Sequence, residues 1–351
     1  MKKPEEKYKL SLDKFINLSL YDKKYGYYMN KNPFGKKGDF ITAPNISRLF
    51  SEMITIWVVS FWESLGCPKK INVIELGAGN GEMMKVIFQS SKNFPNFFRS
   101  CNFLIYEKSL KLINEQKNNL KKLNVIWLSD LKKINKDPSI FIANEFFDAL
   151  AIKQFIKKKK LWYEKFINIE NKNNMYFFLR KTNIKKFEKK INLRISKNEN
   201  FIEYSEVGIK YLTKISKIIT KNSGGLLLFD YGYSGIKMKD TLQAVSNHKY
   251  SNIFKNFGKN DITHHINFSI FKKVINNFGN LDYNYTTQKK FLIKMGIKQR
   301  AEILSKNLSF LKKADIYYRL NRLIDEKQMG NLFKVMLIKN KDNKFNQGFN
   351  D

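Results

Sequence analysis

Ile71-Asn72-Val73-Ile74-Glu75-Leu76-Gly77-Ala78-Gly79-Asn80-Gly81 is the stretch on which the reading of this chain turns. Its aliphatic residues Ile71, Val73, Ile74 and Leu76 predict a buried strand that stops in three alternating glycines. Beyond them Met83, Met84, Val86, Ile87 and Phe88 fall at helical spacing. A strand, a glycine-rich turn and a helix open a nucleotide-binding α/β unit. Glycine lets the backbone approach a ligand, and a helix N-terminus presents N–H groups that no turn of the helix uses. Neither phosphate-binding pattern fits here: the glycines are not spaced G-x-G-x-x-G, and no Lys follows the third. Glu75 at the strand end would repel a pyrophosphate. It suits a cationic ligand that carries an amino group.

Composition narrows the class. The chain has 351 residues, 43% apolar and 15% aromatic, enough for one large domain with insertions or for two domains, and too apolar for global disorder. The net charge of +34 points toward nucleic acid, but only seven of the 65 basic residues are Arg, the side chain that bidentate phosphate and base contacts favour. Abundant Lys together with Asn, Ile and Phe along the whole length reads as compositional bias, with nonspecific polyanion binding at low salt as its consequence. Cys67 and Cys101 sit in no paired motif, and His248, His264 and His265 have no metal-ligand spacing, so no metal is expected. The segment Met1 to Glu6 resembles neither a signal nor a transit peptide, and no run approaches the 18 or so apolar residues of a membrane span. A cytoplasmic location is the expectation.

Taken in order, Leu10 to Tyr21 predicts an amphipathic helix, and Ile46 to Leu65 a second, ended by Gly66 and Pro68. Between them lies a Gly/Pro-punctuated loop at 32–44, with Asp39 and Thr42, suited to folding over a pocket. Further strands are expected at Cys101 to Glu107, Val125 to Leu128 and Ile140 to Ala143. Glu107 lies 26 residues past Gly81, where an acid can accept both hydroxyls of a ribose. Asp130, after the third strand, is placed to face an adenine amino group. The fourth strand runs into Asn144-Glu145-Phe146-Phe147-Asp148-Ala149-Leu150, two carboxylates beside two aromatics at the edge where open α/β sheets bind ligands. The buried strand Gly224 to Tyr233 resumes the pattern, and Leu281 to Thr287 and Leu332 to Ile338 close it. The organisation expected is a helical and loop extension covering the active site (1–70), the first half of the sheet (71–150), an antiparallel and helical insertion (151–223), the second half (224–340) with a further insertion (235–280), and a polar, frayed tail (341–351).

Eight segments together carry a resemblance to a known family. They are G-D-F-I-T-A-P (38–44), E-L-G-A-G-N-G (75–81), N-E-F-F-D-A-L (144–150), F-D-Y-G-Y (229–233), D-T-L-Q-A-V-S-N-H-K-Y (240–250), D-I-T-H-H-I-N-F (261–268), Q-K-K-F-L-I-K-M-G-I (288–297) and M-G-N-L-F-K-V (329–335). In this order they resemble the MidA-type S-adenosylmethionine-dependent methyltransferases, which include a mitochondrial complex I assembly factor that methylates protein arginine. The chain departs from the family in Ala78 and Asn80, where Pro and Arg are common, in Asn45, where many members have Glu, and in Ala151, usually Pro.

The resemblance implies a class I methyltransferase fold, a Rossmann-like, mostly parallel sheet with helices on both faces, and S-adenosylmethionine as cofactor. Glu75 would take the cofactor's amino group, Gly77, Gly79 and Gly81 its backbone contacts, and Glu107 its ribose, with Asp130 and Asn144 completing the set. Glu145 and Asp148 would form the acidic pair that holds a guanidinium and keeps electron density on the attacking nitrogen. Asp39, Thr42, Tyr233, His248, Asp261 and Thr263 would face the substrate. The partner implied is a protein, such as a respiratory complex I type subunit. The alternatives are an RNA or small-molecule methyltransferase and an assembly protein that binds without turnover.

Overall fold

Uninterrupted aliphatic runs, the signature of strands buried on both faces, build a central sheet. The computed structural model describes residues 8–31, 33, 42–171, 174–235, 237–246 and 249–349. Contacts divide the chain into two units, each assembled from three separated segments. One comprises Phe34–Phe146, Lys214–Gly232 and Phe278–Asp351, the other Met1–Pro33, Phe147–Thr213 and Tyr233–Asn277.

The first unit carries the sheet. We number its strands β1 (Ile71–Leu76), β2 (Cys101–Tyr106), β3 (Val125–Leu128), β4 (Ser139–Asn144), β5 (Gly224–Tyr233), β6 (Leu281–Thr287) and β7 (Phe333–Asn340). They lie in the order β3-β2-β1-β4-β5-β7-β6. The pairs β1–β2, β1–β4, β2–β3 and β4–β5 are parallel, whereas β7 runs antiparallel to both β5 and β6. Every residue of β1 and β4 is buried. The connections leave β1 toward β2 and β3 on one side and toward β4 and β5 on the other. The carboxyl ends of β1 and β4 therefore flank the topological switch point, where such sheets hold ligands.

Helix Arg48–Ser64 covers one face of this sheet. Phe50, Met53, Trp57 and Phe61 join Val73, Ile140, Ile142, Leu227 and Phe229 in one core cluster. Trp57 and Phe61 stack at 5.0 Å, and Phe50 meets Phe229 edge-on at 5.1 Å. Each fully buried large side chain of this kind stabilises by about 2–3 kcal/mol.

The second unit holds an antiparallel sheet in which Leu161–Asn171 pairs with Tyr8–Ser11, Lys153–Lys158 and Asn174–Thr182, and Lys153–Lys158 pairs with Phe201–Tyr204. A smaller sheet joins Gln243–Ser246 to Lys249–Ser251 and Asp261–Thr263. Beneath the larger sheet the buried ammonium of Lys153 bridges Asp13 at 2.9 Å and Glu164 at 2.8 Å.

Four features differ from the expectation. Leu10 lies in a strand, because residues 8–11 pair with 166–169, and the helix begins only at Leu12. That pairing also takes the start of the expected 1–70 extension into the second unit, while residues from 34 on belong to the first. The helix expected from Ile46 is broken at Ser47, whose extended backbone (φ −151°) and hydroxyl, accepting the Leu49 N–H, start a new helix. The tail does not fray over its described residues. Phe345 packs on Trp57 and Phe61 at 5.6 and 5.3 Å, Phe349 on Phe291 at 5.3 Å, and the Trp57 indole donates to the Gln347 carbonyl. Two aromatics outweigh a polar composition.

Candidate functional site

The three glycines after β1 all have backbone angles that favour glycine, φ +65° at Gly77, +55° at Gly79 and +84° at Gly81. A Cβ on Gly77 would also stand 2.8 Å from Phe146 Cδ2. The Gly77 N–H donates to the Tyr106 carbonyl at 2.9 Å, and Gly81 to that of Ala78 at 2.7 Å, so the turn is tied to β2 and closed on itself. Helix Glu82–Ser91 starts directly after it. Thr42, Asn45, Glu75, Gly77, Gly79, Asn144 and Glu145 line one pocket at the ends of β1 and β4.

Two buried acceptors in that pocket have no hydrogen-bond partner among the described residues, Glu75 Oε2 and Asn144 Oδ1. Burial raises the Glu75 carboxyl to about 8, against a hydrogen bond from the Met84 N–H and aided by the charge of Glu107. An orphaned carboxylate oxygen of this kind is stabilised by an incoming ammonium. The residues present thus fit a ligand with a positively charged amino group.

Glu145 has φ +52°, rare for a residue with a side chain. Its N–H donates to the Phe229 carbonyl at 3.0 Å, and its carboxylate accepts from Asn144 Nδ2 at 3.2 Å. Strain held by neighbours in this way is common at functional sites.

At the end of β2, Glu107 Oε1 accepts the N–H groups of Lys108 (2.7 Å) and Ser109 (2.9 Å), which fixes the carboxylate and leaves Oε2 with one long bond, 3.4 Å from Gln116. Burial raises its carboxyl above the usual range despite these donors. Asp130 is committed to other partners than an adenine: it pairs with Lys214 and accepts the Lys132 N–H at 2.9 Å. The Lys214 contact holds its carboxyl below the usual value. The reason is local, since Asp130 caps the short turn Leu131–Lys133. Thr42 accepts from Asn45 Nδ2 at 2.9 Å.

The other unit holds Asp148, Asp261, Thr263 and Tyr233. Asp148 and Asp261 are each 4% exposed. The Tyr28 hydroxyl donates to Asp261, 3.0 Å from either oxygen, and burial with the charges of Asp261 and Asp148 holds its proton firmly. The Asp148 carbonyl accepts the His264 N–H at 3.1 Å. Burial lowers His264 to about 4, so its imidazole is neutral at physiological pH. The Thr263 hydroxyl accepts from Gln243 at 3.2 Å, and that of Tyr233 from the Lys239 N–H at 3.1 Å. Glu145 and Asp148 thus belong to different units, the chain passing from one to the other between Phe146 and Phe147. Asp39 and His248 lie outside the described residues.

Three residues outside the expected set join these sites. Gln116, fully buried, donates to the Gly79 carbonyl at 2.9 Å and accepts from the Trp127 indole at 2.9 Å. Asn80 reaches Asn45 at 2.9 Å. Tyr28 closes the aromatic run Tyr25-Gly26-Tyr27-Tyr28, whose density is the one mark it leaves in the sequence.

Comparison with known proteins places this geometry. A family model described as S-adenosyl-L-methionine-dependent methyltransferase matches residues 53–286. Protein arginine methyltransferase NDUFAF7, mitochondrial, of Xenopus laevis is 28% identical over 89% of this chain and 77% of its own length. The Homo sapiens protein of that name is 26% identical over 89% and 76%. A Burkholderia thailandensis protein crystallised with bound S-adenosyl-homocysteine shares the fold, with a TM-score of 0.80 at 20% identity over 98% of this chain and 89% of that one. With the matching model covering most of its length, this chain belongs to the family of S-adenosyl-L-methionine-dependent methyltransferases, and S-adenosylmethionine is its cofactor.

Proposed function

We propose that this enzyme methylates an arginine side chain of a protein, a respiratory complex I type subunit or a similar one, in the cytoplasm. The observation that carries the reading is Glu145, held in a strained conformation in the same pocket as the buried, unpartnered Glu75 Oε2. The relatives named protein arginine methyltransferase, matched over most of their length and of this chain, support the same acceptor.

The cofactor supplies an electrophilic sulfonium methyl, so the chain has to position the acceptor and receive its proton. A guanidinium is a planar cation with five N–H donors and no acceptor. The Glu145 carboxylate, oriented by Asn144, accepts two of those donors and draws the positive charge away from the remaining nitrogen. Asp148 is assigned the second acidic role, its charge reaching Tyr28 in its own unit. Asp39, Thr42, Tyr233, His248, Asp261 and Thr263 keep the substrate-facing roles that the resemblance implies.

Incubation with radiolabelled cofactor and cell extract tests the proposal. Label is expected in protein, recovered as methylarginine after acid hydrolysis. Glu145→Gln is expected to lower the rate at least about 100-fold while changing cofactor affinity little. Label in RNA would replace the acceptor, and the +34 charge makes RNA the alternative to include. Binding without any incorporation would leave an assembly protein.

A further inference from the structure

Helices Ile297–Ser305 and Phe310–Ile324 pack together, and the end of the hairpin they form has an unusual surface. Of the seventeen exposed large apolar side chains among the described residues, six fall between residues 303 and 318. Phe310 is 82% exposed, Leu311 79%, and Ile303 and Tyr318 64% each. Helix Phe310–Ile324 buries Leu320, Leu323 and Ile324. Leu311, Ala314 and Tyr318, spaced i, i+3 and i+7, form a second stripe on its opposite side. Isolated apolar residues on a surface need no explanation, but a cluster of this kind does.

Charge accompanies the cluster. Lys306, Lys312 and Lys313 have no ion-pair partner among the described residues. Of the acids nearby, Asp315 is taken by Arg319 at 2.7 Å, and Glu302 is left against three lysines. No described helix is long and apolar enough to cross a membrane.

We propose that this hairpin end docks on an anionic phospholipid surface. Phe310, Leu311 and Ile303 enter the acyl boundary, the lysines meet phosphates, and Tyr318, about 11 Å further along the helix axis from Leu311, sits at headgroup depth. Charge complementarity selects this occupant. A second copy of the chain meeting the same face would set lysines against lysines. Side chains that stand four-fifths exposed offer a rigid partner no groove to fill, whereas an acyl layer closes around them.

Vesicle flotation tests it, using phosphatidylcholine alone and phosphatidylcholine with about 30% phosphatidylglycerol, at about 0.1 M and 0.5 M salt. The full chain is expected to float with the anionic vesicles, less at high salt. Phe310→Ser/Leu311→Ser, which leaves the charge unchanged, is expected to lower the bound fraction at least about tenfold. An unchanged affinity for S-adenosylmethionine would show that this variant is folded. Failure of the wild type to float would overturn the proposal. So would equal flotation of the serine variant, which marks simple adsorption of a +34 chain. A dimer that the serine variant dissociates, with vesicle binding unaltered, would assign the face to self-association and overturn it equally.

Discussion

Asn80 donates its side-chain amide to Asn45 at 2.9 Å, joining the two positions at which this chain replaces the common Arg and Glu of the family it resembles. Asn45 passes the link to the Thr42 hydroxyl, and Asn80 Oδ1 accepts the Glu82 N–H at the start of the helix. Asn80→Arg alone sets a cation without its acid beside a cationic ligand and is expected to weaken cofactor binding about tenfold, or about 1.4 kcal/mol. Asn45→Glu/Asn80→Arg is expected to recover most of it. Calorimetry on the four proteins gives the coupling, and additive losses would mean that the two positions act separately.

Gln116 is expected to act as a positioning residue for the glycine turn. Gln116→Leu keeps the volume but strands the Gly79 carbonyl and the Trp127 indole N–H, each at a cost of about 1–3 kcal/mol. We expect a stability loss of about 2 kcal/mol by denaturant titration and a cofactor affinity lowered about tenfold. Gln116→Glu, which keeps the acceptor for Trp127 and loses the donor to Gly79, separates the two contributions.

The buried Glu75 carboxyl sets a pH dependence whose sign is opposite to that of a salt-bridged acid. Its folded value near 8 lies above the unfolded one of 4.5, so the folded state binds the extra proton between them. Ligand-free stability therefore falls as pH rises from 5 to 8. Glu75→Gln should flatten this slope. A cationic ligand needs the ionised form, so between about pH 6 and 7 affinity should rise by up to about tenfold per unit, with about one proton released. Titration in buffers of different ionisation enthalpy measures that proton. A binding enthalpy independent of buffer would remove Glu75 from the ligand's amino group.

The docked tail gives a prediction about stability alone. Phe345→Ala and Phe349→Ala each vacate a contact with a core ring and are expected to cost about 2 kcal/mol. Both should lower the thermal midpoint of the protein while leaving Lys153 and its partners intact. No change in the midpoint would return the tail to solvent.

What the chain discloses before folding follows from how local each feature is. Glu75 and its glycines are legible because a both-faces-buried strand reads as unbroken aliphatics and a positive φ selects glycine. Glu145 and Asp148 are legible as acids, but not that they belong to different units, since a division between 146 and 147 leaves no mark in composition. Gln116 sits on an amphipathic helix where a polar side chain reads as solvated, and only the fold buries it. The break at Ser47 was legible in principle from the capping preference of serine, but the apolar periodicity runs straight through it. The position of β7, between β5 and β6, depends on pairings made across more than a hundred residues of chain.

That last placement has a consequence for how the protein is made. Among the described residues β6 pairs only with β7 along the sheet, and β7 leaves the ribosome after both β5 and β6. At ordinary elongation rates the edge of β5 waits on the order of ten seconds between its own emergence and that of residues 333–340, with β6 already out and undocked. An open strand edge beside an undocked strand is a template for aggregation. Nascent chains of this protein should accordingly lean on holding chaperones late rather than early. A stop codon anywhere between β6 and β7 would cost the sheet two strands, not one.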